Sequence, residues 1–143
     1  MVLFLLAGCS DQKTPMIKVS TSTVTRSGLT YTPRVSEEYI WMEDSVFTLQ
    51  RLVDGDWVDT APVAPMIFST EYLIVRSGKA QKIDWSGFYG VLENGTYRLV
   101  KKYERYSGQL DASGLPTLNF DRSTKTEFTC YGEFKITFQT PEK

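Results

Sequence analysis

The class of fold is indicated most clearly by Glu127-Phe128-Thr129-Cys130-Tyr131-Gly132-Glu133-Phe134-Lys135-Ile136-Thr137-Phe138. Apolar or small residues occupy its even positions, and mainly polar residues occupy its odd positions. Successive side chains of a β-strand point to opposite faces of a sheet, so this period of two is typical of a strand with one buried face. The alternation predicts that Phe128, Cys130, Phe134 and Phe138 all face a hydrophobic core, with Phe138 at the end of that face.

Similar short runs fill the rest of the chain and are separated by turn-forming residues. They lie at residues 17–23, 29–35, 46–53, 72–75, 79–85 and 96–105. Asp54-Gly55-Asp56 stands between two apolar runs and predicts a β-hairpin, and residues 86–90 predict a single helical turn. No stretch keeps the apolar period of a helix over three turns. We therefore predict an all-β domain built as a two-sheet antiparallel β-sandwich.

The composition excludes several classes of function. The 143 residues include 16 Lys and Arg against 17 Asp and Glu, and they form no basic stripe of the kind that binds nucleic acid. The chain has no histidine, which removes Ser-His and Cys-His nucleophilic sites and most zinc sites. Asp54-Gly55-Asp56 lacks the further ligands of a calcium loop. We expect no enzyme activity, no catalytic residue, no metal, no cofactor and no nucleic-acid partner.

The N-terminus contains an apolar run, then Leu6-Ala7-Gly8-Cys9, and then polar sequence. This arrangement resembles the lipobox of a bacterial lipoprotein. The resemblance implies that residues 1–8 are the remnant of a signal peptide and that residues 9–16 are a lipidated tether. Membrane lipid is then a partner through acylated Cys9, and the protein is anchored to the extracytoplasmic face of the cell membrane. A buried N-terminal strand is the alternative, whereas a membrane span would need about 20 apolar residues.

Lipid on Cys9 would leave Cys130 without a second cysteine. The alternation around Cys130 points its side chain to the core. We therefore predict a free, buried thiol rather than a disulfide or a redox site.

Three blocks of sequence resemble, in order, the bacterial Ig-like domain of lipoproteins and other exported proteins. They are the hairpin at residues 47–57 with its Gly-x-Trp end, the Ile-Asp-Trp-Ser segment at 83–90, and the Gly-x-Tyr-Arg-x-Val-Lys strand at 95–101. The resemblance implies an Ig-like β-sandwich over residues 17–140 and an exported location. It supplies no catalytic residues, because the family has none established.

Five residues of these blocks have structural interpretations. Trp57 and Trp85 are predicted to pack in the core, with a sugar-binding platform as the alternative. Asp84 is predicted to cap the turn that follows it. Gly95 and Tyr97 predict a tyrosine corner, in which the hydroxyl of a tyrosine at the start of a strand bonds to backbone upstream.

The segment at residues 107–126 is rich in Gly, Ser, Asp and Pro and also contains apolar residues. Compact domains seldom keep about 20 irregular residues unless these are functional or disordered. We predict a partner-binding loop here, with a floppy connection or a further hairpin packed on the sandwich as alternatives. The candidate contact residues are Tyr106, Leu110, Leu115, Leu118, Phe120 and Arg122.

Together these observations predict a membrane-anchored surface lipoprotein whose Ig-like domain is a non-catalytic binding module. Its partner would be an unidentified protein or surface ligand. The alternatives are an inhibitor of exported proteases, which would present a loop from one end of the sandwich, and a structural spacer.

The lipid anchor gives a first testable prediction. In a chain expressed behind a complete signal sequence, Cys9→Ala removes the sulfur that would carry lipid. We expect the variant to leave the membrane fraction or to remain unprocessed, as measured by fractionation and intact mass. Unchanged fractionation and mass would show that Cys9 is not the anchor.

Overall fold

The computed structural model describes residues 14–139, and strands account for most of them. The strands are β1 (Met16–Val19), β2 (Gly28–Arg34), β3 (Ile40–Val53), β4 (Asp56–Asp59), β5 (Tyr72–Ile74), β6 (Gln81–Asp84), β7 (Gly95–Ser107) and β8 (Asp121–Ile136). A 3-10 turn (Thr21–Thr23) follows β1, and the short helix α1 (Ser86–Tyr89) follows β6. Cys9 lies outside the described residues. Within them, no helix is long and apolar enough to cross a lipid bilayer.

The strands form two antiparallel sheets. The smaller sheet has the order β1-β2-β6, and the larger has the order β4-β3-β7-β8, with β5 also paired to β3. The long hairpin of β7 and β8 is the main structural unit of the larger sheet. The prediction of an all-β, two-sheet antiparallel β-sandwich is confirmed.

The hydrophobic core lies between the sheets, and β8 shows how the sequence builds it. Cys130, Gly132, Phe134 and Ile136 are buried while the odd-numbered residues between them are exposed, as the alternation predicts. At Gly132 the two sheets come close, because a Cβ there would lie 2.9 Å from a methyl of Val19. The prediction for Phe138 is wrong: β8 ends at Ile136, and the Phe138 side chain is 47% exposed.

Trp85 and Tyr97 occupy the core as predicted. The ring of Phe134 stacks on both, with centroid distances of 5.5 Å to Trp85 and 5.8 Å to Tyr97. The Tyr97 hydroxyl donates to the backbone oxygen of Glu93 at 2.8 Å, which confirms the tyrosine corner at the start of β7. Leu99, two residues further on, is fully buried. Antibody domains have a disulfide cysteine at this position after the tyrosine corner, whereas this chain has the apolar side chain of Leu99.

Asp84 caps the turn that follows it, as predicted. Its Oδ1 accepts from the backbone N–H of Ser86 at 2.8 Å and from the Ser86 hydroxyl at 2.6 Å. These hydrogen bonds, the one from the hydroxyl first, lower the pKa of Asp84 below its ordinary value. The carboxylate therefore stabilises the entry into α1.

The predicted hairpin between β3 and β4 is also confirmed. Val53 pairs with Asp56, which leaves a two-residue turn. Asp54 and Gly55 have φ angles of 50° and 86°. Two successive positive φ angles are typical of a type I′ turn, for which Asp-Gly is a preferred pair.

The prediction for Trp57 is wrong. Trp57 is half-buried and is not part of the core cluster. It lies on β4, directly opposite the exposed Leu52 of β3, on the outer face of the larger sheet. β4 has only four residues, so alternation alone did not determine which face it buries.

Three predicted boundaries also differ from the structure. Residues 21–23 form the 3-10 turn rather than a continuation of β1, and β3 begins at Ile40 rather than at residue 46. β8 begins at Asp121, so the predicted connection at 107–126 shortens to residues 108–120. Residues 121–126 are all polar, and without an apolar face they resembled a loop in sequence.

A β-bulge explains why the start of β3 was missed. Glu43 of β3 pairs with Tyr103, and Phe47 pairs with Lys101, so three residues of β3 face one residue of β7. Such an insertion interrupts the pairing and bends the strand. The free edge of β3 is divided accordingly, because β5 pairs before the bulge and β4 pairs after it.

The bulge is held by the buried side chain of Lys101. Its Nζ donates to the backbone oxygens of Asp44 at 2.8 Å and Val46 at 3.1 Å, and it lies 3.5 Å from Oε2 of Glu43. Lys101 and Glu43 are the buried charged residues within 14–139. An unpaired charge inside a protein is strongly destabilising. The ammonium therefore needs the carbonyl oxygens of the bulge as partners, and those oxygens need the ammonium as their donor.

Two tyrosines complete this polar cluster inside the sandwich. The Tyr31 hydroxyl donates to the Glu43 carboxylate at 3.1 Å, and Tyr103 stands opposite Glu43 in the register. Burial, and then the neighbouring Glu43 charge, raise the pKa of both phenols well above the ordinary value. Both phenols therefore stay protonated, and Tyr31 serves as a hydrogen-bond donor to the carboxylate.

Removing the buried cation should destabilise the fold. Lys101→Met keeps an unbranched stem but leaves Glu43 unpaired and two bulge carbonyls without a donor. We expect the free energy of unfolding to fall by about 3–5 kcal/mol, measured by equilibrium urea unfolding. Glu43→Gln combined with Lys101→Met should restore part of the loss, because no lone charge stays buried.

The matched control is Lys102→Met, the next residue of β7, whose side chain is exposed on the outer face. It should change the free energy of unfolding by less than about 0.5 kcal/mol. Equal stability of the Lys101→Met and Lys102→Met variants would contradict the role given to the buried cation.

The free thiol gives a further prediction. Cys130 is buried, its Sγ lies 3.4 Å from the Pro15 oxygen, and burial raises its pKa to about 12. The thiolate is the reactive form, so a Cys9→Ser chain should react slowly with iodoacetamide at neutral pH when native and rapidly when denatured. Cys130→Ser should reduce stability by about 1–3 kcal/mol. Rapid labelling of the native chain would show that this position opens to solvent.

Candidate functional site

The connection between β7 and β8, residues 108–120, is ordered by its own hydrogen bonds. Leu110 and Pro116 form an antiparallel bridge, and Thr117 donates through its backbone N–H to the Gln109 oxygen at 2.9 Å. The segment is therefore a small hairpin at the end of the long β7–β8 hairpin, which is the second alternative considered from sequence. We call it the tip hairpin.

Asp111 sets the turn of the tip hairpin. Its Oδ1 accepts from the Ser113 hydroxyl at 2.6 Å, the Ser113 N–H at 2.8 Å and the Leu115 N–H at 3.0 Å. These bonds, that of the Ser113 hydroxyl first, lower the pKa of Asp111. Gly114 has a φ of +85°, a backbone conformation that favours glycine, and it lies close to the end of the Arg76 side chain. Sequence and packing thus fix one loop conformation.

The tip hairpin rests on the outer face of the larger sheet. Tyr106 of β7 is buried, and its ring meets that of Phe120 edge-on at 5.2 Å. Gly108 passes close to Ile40, since a Cβ there would lie 3.1 Å from the Ile40 Cδ1. Burial, and then a hydrogen bond to the Glu104 carboxylate, raise the pKa of Tyr106 to about 12. Tyr106 and Phe120 therefore form the base of the tip hairpin.

The six candidate contact residues separate into two groups. Leu118 is fully exposed and Leu115 is 59% exposed. Tyr106 and Phe120 are mutual packing partners, and Arg122 lies in β8 with its guanidinium 5.8 Å from the Phe120 ring centroid. Leu110 is half-buried. Leu115, Leu118 and the exposed Arg122 are thus the candidate residues most free to contact a partner.

A cavity of about 440 Å³ lies between the tip hairpin, the segment before β3 and the turn after β5. Its lining includes the apolar groups Tyr39, Trp41 and Leu110 and the exposed charged groups Glu37, Arg76 and Asp111. Arg76 joins two walls of the cavity, because its Nη2 donates to the Ser113 oxygen at 3.1 Å. The site can hold a small apolar group next to charges of both signs.

This site contains no arrangement suited to covalent catalysis. The cavity lining includes serines but no histidine or lysine beside them. Among residues 14–139, no three His, Cys, Asp or Glu side chains are placed to hold a metal ion.

A second exposed feature was missed by the sequence analysis. On the outer face of the larger sheet, the Arg98 guanidinium lies 4.6 Å from the Trp57 ring centroid and 4.0 Å from that of Tyr131. Arg98 Nε also donates to Oε1 of Gln50 at 2.6 Å. Arg98 and Tyr131 fall at the outward parity of β7 and β8, which is the signal that could have predicted this group.

Comparison with known proteins identifies the family. The family model described as "Bacterial Ig-like domain" matches residues 13–129, from just before β1 into β8. No curated protein gives a significant match, and no solved structure does either. The match covers most of the chain and agrees with the two-sheet sandwich. The chain belongs to the bacterial Ig-like domain family.

Proposed function

We propose that this protein is a non-catalytic interaction module that binds a partner through the tip hairpin. Acylated Cys9 would hold the domain at the extracytoplasmic face of the cell membrane. The family supports an interaction or structural module in general. The single observation that carries the specific proposal is the pair of exposed leucines, Leu115 and Leu118, on a loop with a fixed conformation.

An exposed leucine on an ordered loop favours binding for two reasons. Burying its side chain in a partner contributes roughly 1.5–3 kcal/mol from the hydrophobic effect. The loop is already ordered by Asp111 and the Leu110–Pro116 bridge, so association loses little conformational entropy. A structural spacer has no need of either feature.

The cavity behind the loop supports the same conclusion. Its volume of about 440 Å³ lies within the range of roughly 300–1,000 Å³ that is typical of ligand pockets. A partner that contacts Leu115 and Leu118 could also insert an apolar side chain beside Tyr39 and Trp41. The partner would then contact both the exposed leucines of the tip hairpin and the cavity next to them.

Inhibition of an exported protease is the second candidate, and one observation favours it. Leu118 is fully exposed on a segment whose ends are joined by hydrogen bonds of Gln109 with Thr117 and Asn119. A loop of this kind can enter a protease cleft and resist cleavage, because its backbone is held in place. The two candidates share one surface and differ in the identity of the partner.

Substitutions at the tip should separate binding from folding. Leu115→Ser with Leu118→Ser removes apolar area that contacts solvent, so the thermal unfolding midpoint should stay within a few degrees of the parent. Capture of membrane-envelope proteins from the native organism by the immobilised domain should be lost. The matched control is Ile67→Ser, an exposed residue in the β4–β5 connection.

The readouts also distinguish the candidates. Loss of inhibition of a secreted-protease preparation, with a loop that remains uncleaved by mass spectrometry, would identify the inhibitor. If the double variant captures the same proteins as the parent chain, the tip hairpin is not the binding surface. Deleting the tip hairpin is a poorer test, because it would uncover Ile40 and Tyr106.

A further inference from the structure

A second recognition surface lies on the same outer face, far from the tip hairpin. Arg98 is eight residues before Tyr106 on β7, a separation of about 26 Å along an extended strand. Around Arg98 of β7 are Trp57 of β4, Gln50 of β3 and Tyr131 of β8, so all four strands of the order β4-β3-β7-β8 contribute. We call these four residues the arginine platform.

The guanidinium of Arg98 is held in place, but not all of its hydrogen-bond donors have an acceptor. Its faces meet the rings of Trp57 and Tyr131, and its Nε donates to Gln50, which is itself bonded to the Asp59 carboxylate at 2.9 Å. Among the described residues, no hydrogen bond or ion pair is made by the two terminal nitrogens of Arg98. Both therefore retain donors that an incoming acceptor can use.

Two acidic side chains, Asp59 and Glu133, lie in the same cross-strand row as Arg98, and the Asp59 carboxylate is bonded to Gln50 instead. Glu133 of β8 stands opposite Arg98 in the register and is exposed, yet it forms no ion pair with Arg98 in the structure. Lys135, two residues further along β8, adds a positive charge to the same face. The cationic group at the centre of the platform thus has no anionic partner of its own within residues 14–139.

The residues around the guanidinium suit a macromolecular partner. Tyr131 is 48% exposed, and Leu52, next to Trp57 in the register, is 38% exposed. Trp, Tyr and Arg are the residue types that dominate binding energy at protein interfaces, where surrounding apolar groups exclude water from central polar contacts. A planar guanidinium with free donors binds a carboxylate through two parallel hydrogen bonds.

We propose that the arginine platform docks an acidic segment of a protein partner. A carboxylate of that segment binds the terminal nitrogens of Arg98, and the neighbouring apolar atoms of the segment cover Tyr131 and Leu52. Because the stack with Trp57 and Tyr131 already orders the long Arg98 side chain, binding loses little further rotamer entropy. This surface is separate from the tip hairpin, and its proposal does not depend on the function proposed for that loop.

The test uses a hexaglutamate peptide as the carboxylate probe and inorganic phosphate as a second anion. Backbone amide resonances of the isotope-labelled domain are followed by NMR at low ionic strength. We expect the peptide to shift resonances on β4, β7 and β8 around the platform, with saturation, and phosphate to produce smaller shifts. An equal response to phosphate would overturn the assignment to a peptide carboxylate.

The variants test the chemistry of the contact. Arg98→Gln should weaken peptide binding about tenfold or more, because a charge-assisted pair of hydrogen bonds is lost. Arg98→Lys should restore little of it, since an ammonium keeps the charge without the planar fork. Lys102→Gln, an exposed cation on the same face of β7, is the matched control and should bind nearly as the parent does.

Thermal unfolding of each variant checks that the sandwich remains intact. Equal affinity of the parent chain and a folded Arg98→Gln variant would overturn the proposal. Resonance shifts confined to other surfaces would do the same, and so would no shift at any peptide concentration. Peptide binding that is unaffected by Leu115→Ser with Leu118→Ser would separate this surface from the tip hairpin.

Discussion

The buried ammonium of Lys101 is the constraint on which the larger sheet depends. A charge in the interior needs close partners, and Lys101 finds them in Glu43 and in two backbone oxygens of the bulge in β3. A regular ladder would have used those oxygens for pairing with β7. The bulge therefore satisfies the cation, and it also divides the edge of β3 between β5 and β4. One side chain thus links the core to the strand order at one edge of the sheet.

Sequence predicted the parts of the fold that depend on neighbours along the chain. The alternation in β8 as far as Ile136, the Asp54-Gly55 turn, the cap at Asp84 and the tyrosine corner at Tyr97 are all local patterns, and each was confirmed. The inward position of Lys101 could have been predicted from the same alternation of inward and outward residues. Lys101 shares the inward parity of Tyr97, Leu99 and Tyr103 on β7. Its partners could not be foreseen, because the bulge brings Glu43 and the Asp44 oxygen to it from a different strand.

The candidate site shows the same limit. Composition was sufficient to predict that the β7–β8 connection is unusual, but it did not show which of its apolar residues are exposed. That depends on where β8 begins, and residues 121–126 have no apolar face to mark the start of a strand. Once β8 extends to Asp121, Phe120 is brought against Tyr106, and Leu115 and Leu118 remain in solvent. Trp57 was misassigned for a related reason, since a four-residue edge strand gives too few positions to establish which face is buried.

The two faces of the larger sheet therefore have different physical roles. The inner face is covered by the smaller sheet, and its buried charges, Lys101 and Glu43, are paired with one another, so a change there is expected to act first on folding. The outer face has no second sheet among the described residues, and its two organised features, the tip hairpin and the arginine platform, lie near opposite ends of β7. Each is held rigidly by contacts of its own, through Asp111 in one case and Gln50 in the other. Rigid groups that remain exposed contribute little to the core. Their order lowers the entropy lost on association, which is the property that a recognition surface requires.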